Sequence, residues 1–161
     1  MFSASQEKVE QGLNFQKEVF ETMKSNFSNV VDTRDYFSCL NPNASDVFLN
    51  LKESQNGDIM VGPLDQDTFH LECITSSSET IFPETKLRNF SGNNHFYIFR
   101  LVEDGSTHVV HSKVWNSYIS KCPKVVINNR KYRKFKSRNI SGLRSKSSIQ
   151  QLINLIGEKH D

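Results

Sequence analysis

Residues 56–76 have the sequence NGDIMVGPLDQDTFHLECITS, which predicts two β-strands joined by a tight turn. β-Branched Ile59 and Val61 occupy alternate positions in the first half, and Phe69 and Leu71 repeat this spacing in the second half. Alternation with a period of two is typical of a strand with one buried face, and residues 63–67 form the polar, proline-containing connection of a hairpin. We therefore expect the rest of the chain to be arranged around this hairpin.

Two acidic residues of this hairpin are candidates for a shared site. A turn centred near Asp65 predicts that Asp58 lies across from Glu72 or Cys73. Residues that face each other in a hairpin have Cβ atoms about 5 Å apart. Two carboxylates at this separation offer the oxygen ligands that Mg²⁺ prefers, whereas the alternative is a pair of solvated acids at the hairpin ends.

The length and composition predict one folded domain. A chain of 161 residues has the usual size of a single domain with its own core, so residues 1–161 are expected to form one unit. The hydrophobic content is modest at 36%, but 12 Phe distributed along the chain argue against a disordered protein.

The cysteines and the N-terminal residues indicate where in the cell the protein is expected to reside. The three cysteines Cys39, Cys73 and Cys122 are far apart, which indicates free thiols in a reducing compartment instead of a disulfide framework or a zinc site. No apolar run approaches the ~20 residues of a membrane span, and no basic segment followed by an apolar one begins the chain. We therefore expect a cytoplasmic protein with no membrane partner.

Charge is unevenly distributed along the chain. Residues 1–110 contain 8 Lys/Arg and 16 Asp/Glu, whereas residues 111–146 contain 11 Lys/Arg and no acidic residue. An acidic body with a basic flank predicts a polyanionic partner that contacts one face of the protein.

Residues 121–146 are predicted to form a basic loop or hairpin, with a short strand at residues 125–127. Cations neutralise phosphates and release counterions, and interleaved aromatic side chains can stack on bases. The candidate nucleic-acid-binding residues are Lys124, Arg130, Lys131, Tyr132, Arg133, Lys134, Lys136, Arg138 and Arg144. Nothing in this segment resembles a recognition helix, so we expect contacts with the nucleic-acid backbone. The alternative is a solvated face or a patch that docks another protein.

The remaining segments predict a mixed α/β domain. The expected elements are a helix at 5–27, a strand at 46–53, the hairpin, a short helix at 82–90, strands at 94–102 and 107–111, and helices at 114–119 and 147–158. The strand at 46–53 and the hairpin would form a three-strand antiparallel meander within a mixed central sheet. The strand at 94–102 is apolar on both faces and should be buried, and the N- and C-terminal helices should cover the sheet.

In residues 5–112 this pattern resembles the restriction-endonuclease-like superfamily, the PD-(D/E)xK nucleases. The resemblance is carried by an opening helix with GLNFQKEVFETM at residues 12–23, by Asp58 in GDIMV, and by Glu72 in the following strand. A helix and a buried strand, HFYIFRL at residues 95–101, then follow as they do in that superfamily.

The resemblance implies a metal-dependent nuclease. In the superfamily the Asp and the Glu hold Mg²⁺, which assigns Asp58 and Glu72 as metal ligands, and a glutamate of the first helix often assists, which suggests Glu18 or Glu21. The metal and a lysine activate water to attack a phosphodiester bond. Ile74 occupies the lysine position here, and the superfamily sometimes supplies this lysine from a neighbouring element.

Lys86 on the next short helix is the first candidate for the displaced catalytic lysine, and Lys52 is the second.

The predicted function is therefore a metal-dependent DNA-processing endonuclease, or a degenerate relative that binds DNA. Two alternatives remain open: a non-enzymatic nucleic-acid-binding module that uses the basic flank, and a protein-binding regulator whose acidic body imitates DNA. The oligomeric state is left open, and a homodimer is compatible with the sequence.

Overall fold

The computed structural model describes residues 4–64, 67–144 and 146–160. The helices are α1 (Ala4–Asn26), α2 (Thr33–Leu40), α3 (Asp46–Asn56), α4 (Glu84–Asn89), α5 (Ser112–Ile119), α6 (Arg138–Ser141) and α7 (Ile149–His160). The strands are β1 (Val30–Asp32), β2 (Ile59–Val61), β3 (Phe69–Ser76), β4 (Glu79–Pro83), β5 (His95–Leu101), β6 (Thr107–His111), β7 (Lys124–Ile127) and β8 (Arg130–Lys136).

A five-stranded sheet forms the centre of the protein, with the strand order β1-β2-β3-β5-β6. β3 and β5 are parallel, and the other neighbours are antiparallel. The central sheet is therefore mixed, which confirms the predicted α/β class. β5 lies between β3 and β6, and Tyr97, Ile98 and Phe99 of this strand are fully buried, as the apolar character of both its faces predicts.

The hairpin that the sequence predicts at residues 56–76 is formed by β2 and β3. Ile59 pairs with Leu71, and Val61 pairs with Phe69. All four of these side chains are buried, because side chains with a period of two reach the same face of a strand. The predicted turn centre at Asp65 lies outside the described residues.

The prediction of a strand at residues 46–53 is wrong, because this segment belongs to α3. Ser45 caps the helix by accepting a hydrogen bond from Phe48 N at 3.2 Å, and Gly57 ends it with a φ of 78°. The apolar alternation was misleading, since Val47 is 79% exposed. The third antiparallel strand next to the hairpin is β1, and two helices connect it to β2, so the predicted meander is not continuous in the chain.

The N- and C-terminal helices pack on one face of the central sheet, as predicted. Phe15, Val19 and Met23 of α1 form one buried cluster with Leu152 and Ile156 of α7. The sheet contributes Ile59, Val61, Phe69, Leu71, Ile98 and Val109 to this cluster. Each side chain of this size contributes about 1.5–3 kcal/mol when it is fully buried, so the two helices are held mainly by apolar contact.

The other face of the central sheet is covered by α5 and by a second, antiparallel sheet with the order β4-β8-β7. Trp115 of α5 is fully buried, and its ring centroid lies 4.6 Å from that of Phe99 and 4.9 Å from that of Phe135. Phe135 belongs to β8, so the second sheet shares this aromatic core with the central one.

The predicted basic loop or hairpin at 121–146 is the β7–β8 hairpin followed by α6. Asn128 and Asn129 form its turn with φ values of 50° and 63°, the left-handed conformation that a two-residue type I′ turn requires. Asn adopts this conformation more readily than most residues, because its short side chain can bond locally to the backbone.

The shorter predicted elements differ from the structure mainly at their ends. The segment 82–90 divides at Pro83, which ends β4, and α4 begins at Glu84. α5 begins two residues before the predicted position, and α7 begins at Ile149. No helix in the described part of the chain has both the length and the apolar character needed to cross a membrane.

Candidate active site

Asp58 and Glu72 face each other at the start of the β2–β3 hairpin. The amide of Asp58 donates to the carbonyl of Leu71 at 2.7 Å, which ties Asp58 to β3 immediately before the paired residues of β2 begin. Asp58 Oδ2 in turn accepts a hydrogen bond from the amide of Cys73 at 2.8 Å. The two predicted acidic residues are therefore neighbours, and backbone hydrogen bonds fix the position of Asp58.

Lys86 of α4 completes this cluster. Its Nζ lies 3.2 Å from Oε2 of Glu72, and it also lies over the ring of Phe82 at 5.9 Å from the centroid. Lys86 reaches Glu72 from α4, which follows β4 of the second sheet in the chain. The structure thus brings together Asp58, Glu72 and Lys86, which come from three separate segments of the sequence.

Burial makes the acidic pair electrostatically unusual. Glu72 is only 5% exposed. Burial raises the pKa of Asp58 well above its ordinary value, and the adjacent Glu72 carboxylate raises it further by its charge and by a side-chain hydrogen bond. The Cys73 amide and the Lys86 charge act in the opposite direction but do not reverse the shift. The Asp58 carboxyl group therefore holds its proton to a higher pH than an exposed aspartate does.

The Lys86 ammonium remains charged beside this pair. Burial by itself would lower the pKa of Lys86, but the carboxylates of Glu72 and Asp58 raise it above the ordinary value. The Lys86 side chain is 25% exposed, compared with 6% for the Glu72 side chain. Lys86 is therefore more accessible to solvent than the carboxylate with which it pairs.

Tyr97 is a further polar residue on this side of the sheet, and nothing in the sequence distinguished it from the other aromatic residues of its strand. It pairs with Glu72 in the β3–β5 register, and within the described residues its buried hydroxyl has no hydrogen-bond partner. Burial raises the pKa of Tyr97 and the charge of Glu72 raises it further, so the hydroxyl stays protonated.

Two histidines next to the cluster connect the sheet to α3. His70 and His95 stack with ring centroids 4.2 Å apart, His70 Nδ1 lies 3.1 Å from the carbonyl oxygen of Asn56, and His95 Nε2 lies 3.0 Å from that of Gln55. Burial lowers the pKa of His70 to about 4, and the neighbouring His95 adds to this effect. The His70 ring is therefore neutral near pH 7, and both rings anchor the end of α3.

Glu18, the predicted third metal ligand, does not join the acidic pair. Its Oε1 lies 3.0 Å from Nη2 of Arg100, and the Arg100 guanidinium also lies over the ring of Phe15. Glu21 is exposed on the same helix. Among residues 4–64, 67–144 and 146–160, no group of three His, Cys, Asp or Glu side chains is placed to hold a metal ion.

The two other positions considered for a lysine have different surroundings. Ile74, at the lysine position of the motif, packs against the aromatic core beneath α5. Lys52, the second candidate, lies over the rings of Phe37 and Phe48 at 5.2 and 5.5 Å from their centroids. Of the two lysines considered, Lys86 is the one that the structure pairs with Glu72.

The predicted nucleic-acid-binding residues separate by environment. Arg133 is structural, because its Nε donates to Glu84 at 2.9 Å and its Nη1 donates to the carbonyl of Cys122 at 2.8 Å. Tyr132 is half-buried, and Lys134 forms an exposed ion pair with Glu79 at 2.9 Å. The remaining members are exposed: Lys124, Arg130, Lys131, Lys136, Arg138 and Arg144.

Comparisons with known proteins add no relative from which a role could be transferred. No protein-family model matches the sequence, and no curated protein sequence matches it. The function must therefore be inferred from the residues of the site and from the two charged regions of the surface.

Proposed function

We propose that this protein is a metal-dependent endonuclease that processes DNA, a restriction-endonuclease-like protein whose lysine is displaced onto α4. The observation that carries the proposal is the cluster of Asp58, Glu72 and Lys86, in which the lysine ammonium lies 3.2 Å from the Glu72 carboxylate. A pair of carboxylates with one lysine is the set of groups with which such enzymes bind a cation and a phosphodiester together.

The residues of the cluster are suited to hold a divalent cation. Both acids supply oxygen ligands, and Mg²⁺ is commonly bound by one or two carboxylates while it keeps several water molecules. The contact between Asp58 and Glu72 supports this assignment, because the pKa of Asp58 is raised by burial and by its neighbour, and a cation would relieve that repulsion. When bound, Mg²⁺ would stabilise negative charge on a phosphate and lower the pKa of a coordinated water.

Each protein group then has a defined task. The Cys73 amide holds Asp58 Oδ2, and this hydrogen bond keeps that carboxylate directed toward Glu72. Lys86, which is more exposed than Glu72, would attract the phosphate and stabilise the charge that develops on it. Because Lys86 has a raised pKa, it would act as a fixed positive charge and not as a general base near neutral pH.

The test is cleavage of supercoiled and branched DNA in the presence of Mg²⁺ or Mn²⁺. Asp58→Asn and Glu72→Gln should each reduce the cleavage rate by about 100-fold or more, since the loss of a single well-placed electrostatic group often costs this much. Glu10→Gln is the matched control, because it also removes one acidic charge but from an exposed position of α1. Equal cleavage by the wild type and both site variants would refute the assignment.

A second candidate is a non-enzymatic nucleic-acid-binding module. It is favoured by the ion pair of Lys86 with Glu72, which already neutralises one buried carboxylate, and by the exposed cations of β8. Salt-dependent binding of DNA without cleavage, unaffected by Asp58→Asn, would support this function and exclude the nuclease.

A further inference from the structure

The strand β8 has an inner and an outer face of different character. On the inner face, Phe135 is 3% exposed and packs against Trp115. Successive side chains of a strand point to opposite faces, so Arg130, Lys134 and Lys136 lie on the outer face, and all three are exposed. The basic residues that are adjacent in the sequence therefore lie on two different faces of β8, and only some of them share the outer face.

The outer face of this sheet also carries an apolar band. Tyr132 lies between Pro83 of β4 and Val125 of β7 in the strand register, and all three are half-buried. Ile81 and Ile127, on the same face, are each 42% exposed. An aromatic ring therefore stands at the middle of an open sheet surface, with apolar neighbours on both adjacent strands.

The cations of this face are available to an external anion. Among the described strand residues of the outer face, Glu79 is the single acidic one. It forms an ion pair with Lys134, and the side chains of Glu79 and Lys134 are 49% and 45% exposed. Exposed ion pairs of this kind contribute about 0–1 kcal/mol, so a phosphate can replace Glu79 at little cost. Arg133, in contrast, is 15% exposed and committed to Glu84 and Cys122.

We propose that the outer face of the β4-β8-β7 sheet binds a single-stranded segment of DNA. Tyr132 stacks on a base, Ile81 and Ile127 contact neighbouring bases, and Arg130, Lys134 and Lys136 contact the phosphates. This inference rests on the nucleic-acid partner of the proposed function and specifies its form. A single strand fits this surface better than a duplex, because a half-buried aromatic ring within an apolar band needs access to base faces, which a duplex keeps stacked inside.

Binding is measured by fluorescence anisotropy of a short labelled DNA strand and of the corresponding duplex, with EDTA present to prevent cleavage. The single strand should bind about tenfold more tightly than the duplex, because stacking on Tyr132 is possible only for unpaired bases. Tyr132→Leu should weaken single-strand binding about fivefold or more, whereas Tyr132→Phe keeps the aromatic ring and should bind like the wild type.

The phosphate contacts are tested by the salt dependence of binding. The double variant Arg130→Gln/Lys136→Gln should reduce the slope of log K against log salt by about 1.4, since each phosphate contact with a single strand contributes about 0.7. Lys124→Gln/Lys131→Gln removes the same charge from the opposite face of the hairpin and should change the slope by less than half as much.

Three results would overturn the inference: equal affinity for the duplex, wild-type affinity of Tyr132→Leu, or equal changes of slope in the two double variants. Circular dichroism and a thermal melt confirm that each variant is folded, and Tyr132→Phe serves as the conservative comparison. The binding assay contains EDTA, so its result does not depend on cleavage. If the outer face binds single-stranded DNA but the protein cleaves no DNA in the separate assay with Mg²⁺ or Mn²⁺, the nuclease proposal is disproved and this inference stands. Cleavage without face-dependent binding would do the reverse.

Discussion

The two sheets of this protein differ in how far their charged side chains are buried. The central sheet holds Asp58, Glu72 and Lys86 together in a largely buried cluster, where burial and neighbouring charges raise the pKa of Asp58. The second sheet presents Arg130 and Lys136 to solvent, where a charge acts mainly by its position and number. We propose accordingly that the central sheet supports chemistry at one point and that the second sheet contacts an extended anion.

Two lysine–glutamate pairs show why this difference matters for stability. Lys134 and Glu79 are 2.9 Å apart, which is closer than the 3.2 Å between Lys86 and Glu72. The shorter pair is nevertheless the weaker one, because both of its side chains are almost half exposed and water screens their attraction. In the buried pair, the loss of one partner leaves the other charge without compensation.

The largest expected effect tests whether the second sheet is part of the core or an attachment to it. Phe135→Ala should lower the free energy of unfolding by about 3–4 kcal/mol, because a fully packed ring is removed from beside Trp115. Val126→Ala, on the same hairpin but 65% exposed, should cost less than about 0.5 kcal/mol. Urea denaturation measures both, and similar values for the two variants would show that the hairpin is peripheral.

The next effect compares the two ion pairs directly. Lys86→Met should destabilise the protein by about 2 kcal/mol near neutral pH, less than for a completely buried pair because the Lys86 side chain is 25% exposed. Lys134→Met should cost less than about 0.5 kcal/mol. Urea denaturation of both variants at one pH provides the comparison, and equal losses would contradict the contrast between buried and exposed charge.

The pH dependence of the free energy of unfolding should reveal the raised pKa of Asp58. The pKa of Asp58 is raised in the folded protein, so its contribution to stability is complete below its ordinary value of 3.8 and is lost as the pH rises through the folded value. Asp58→Asn removes this titration and still offers an amide to Glu72. Relative to the Asn variant, the wild type should therefore lose stability as the pH rises above 3.8.

This comparison is made by urea denaturation of both proteins over a series of pH values. Taking the difference between them cancels the contributions of other groups, such as His70, whose lowered pKa of about 4 reduces stability as the pH falls. A difference that does not change with pH would show that Asp58 has an ordinary environment.

The smallest predicted effect is the response to a divalent cation. Millimolar Mg²⁺ should raise the thermal midpoint of the wild type by about 2–4 °C, which corresponds to about 1 kcal/mol for a protein of this size. Asp58→Asn should show no increase, and removing Mg²⁺ with EDTA should reverse the shift in the wild type. An equal shift in Asp58→Asn would place the cation elsewhere, for instance on exposed acidic residues.

The features that were predictable from the sequence depend on neighbouring residues. The register of the hairpin follows from its alternation and its short connection, so the opposition of Asp58 and Glu72 could be deduced from residues within 20 positions of each other. Ser45 and Gly57 are ordinary cap residues that indicate the helix α3, but the alternation of Val47, Leu49 and Leu51 is typical of a strand and conflicts with that signal.

The features that were not predictable depend on contacts between distant segments. Glu18 lies on the expected helix, yet its partner is Arg100, 82 residues away. Arg133 belongs to a uniformly basic stretch, and only the packing of β8 against α4 removes it from the exposed surface by pairing it with Glu84. Tyr97 shares its strand with other aromatic residues, and its position next to Glu72 follows from the parallel pairing of β3 and β5.

The sequence by itself determined the mixed α/β class, the central hairpin and the separation of acidic and basic regions, because periodicity and composition act over short distances. Only the tertiary structure decided that Lys86 meets Glu72 and which cations of the hairpin remain exposed. These outcomes require the chain to return onto itself through the second sheet, and that path depends on the aromatic core around Trp115, to which buried residues from six separate elements contribute. No local pattern specifies such a core, since its contacts form only when distant segments bury apolar surface together.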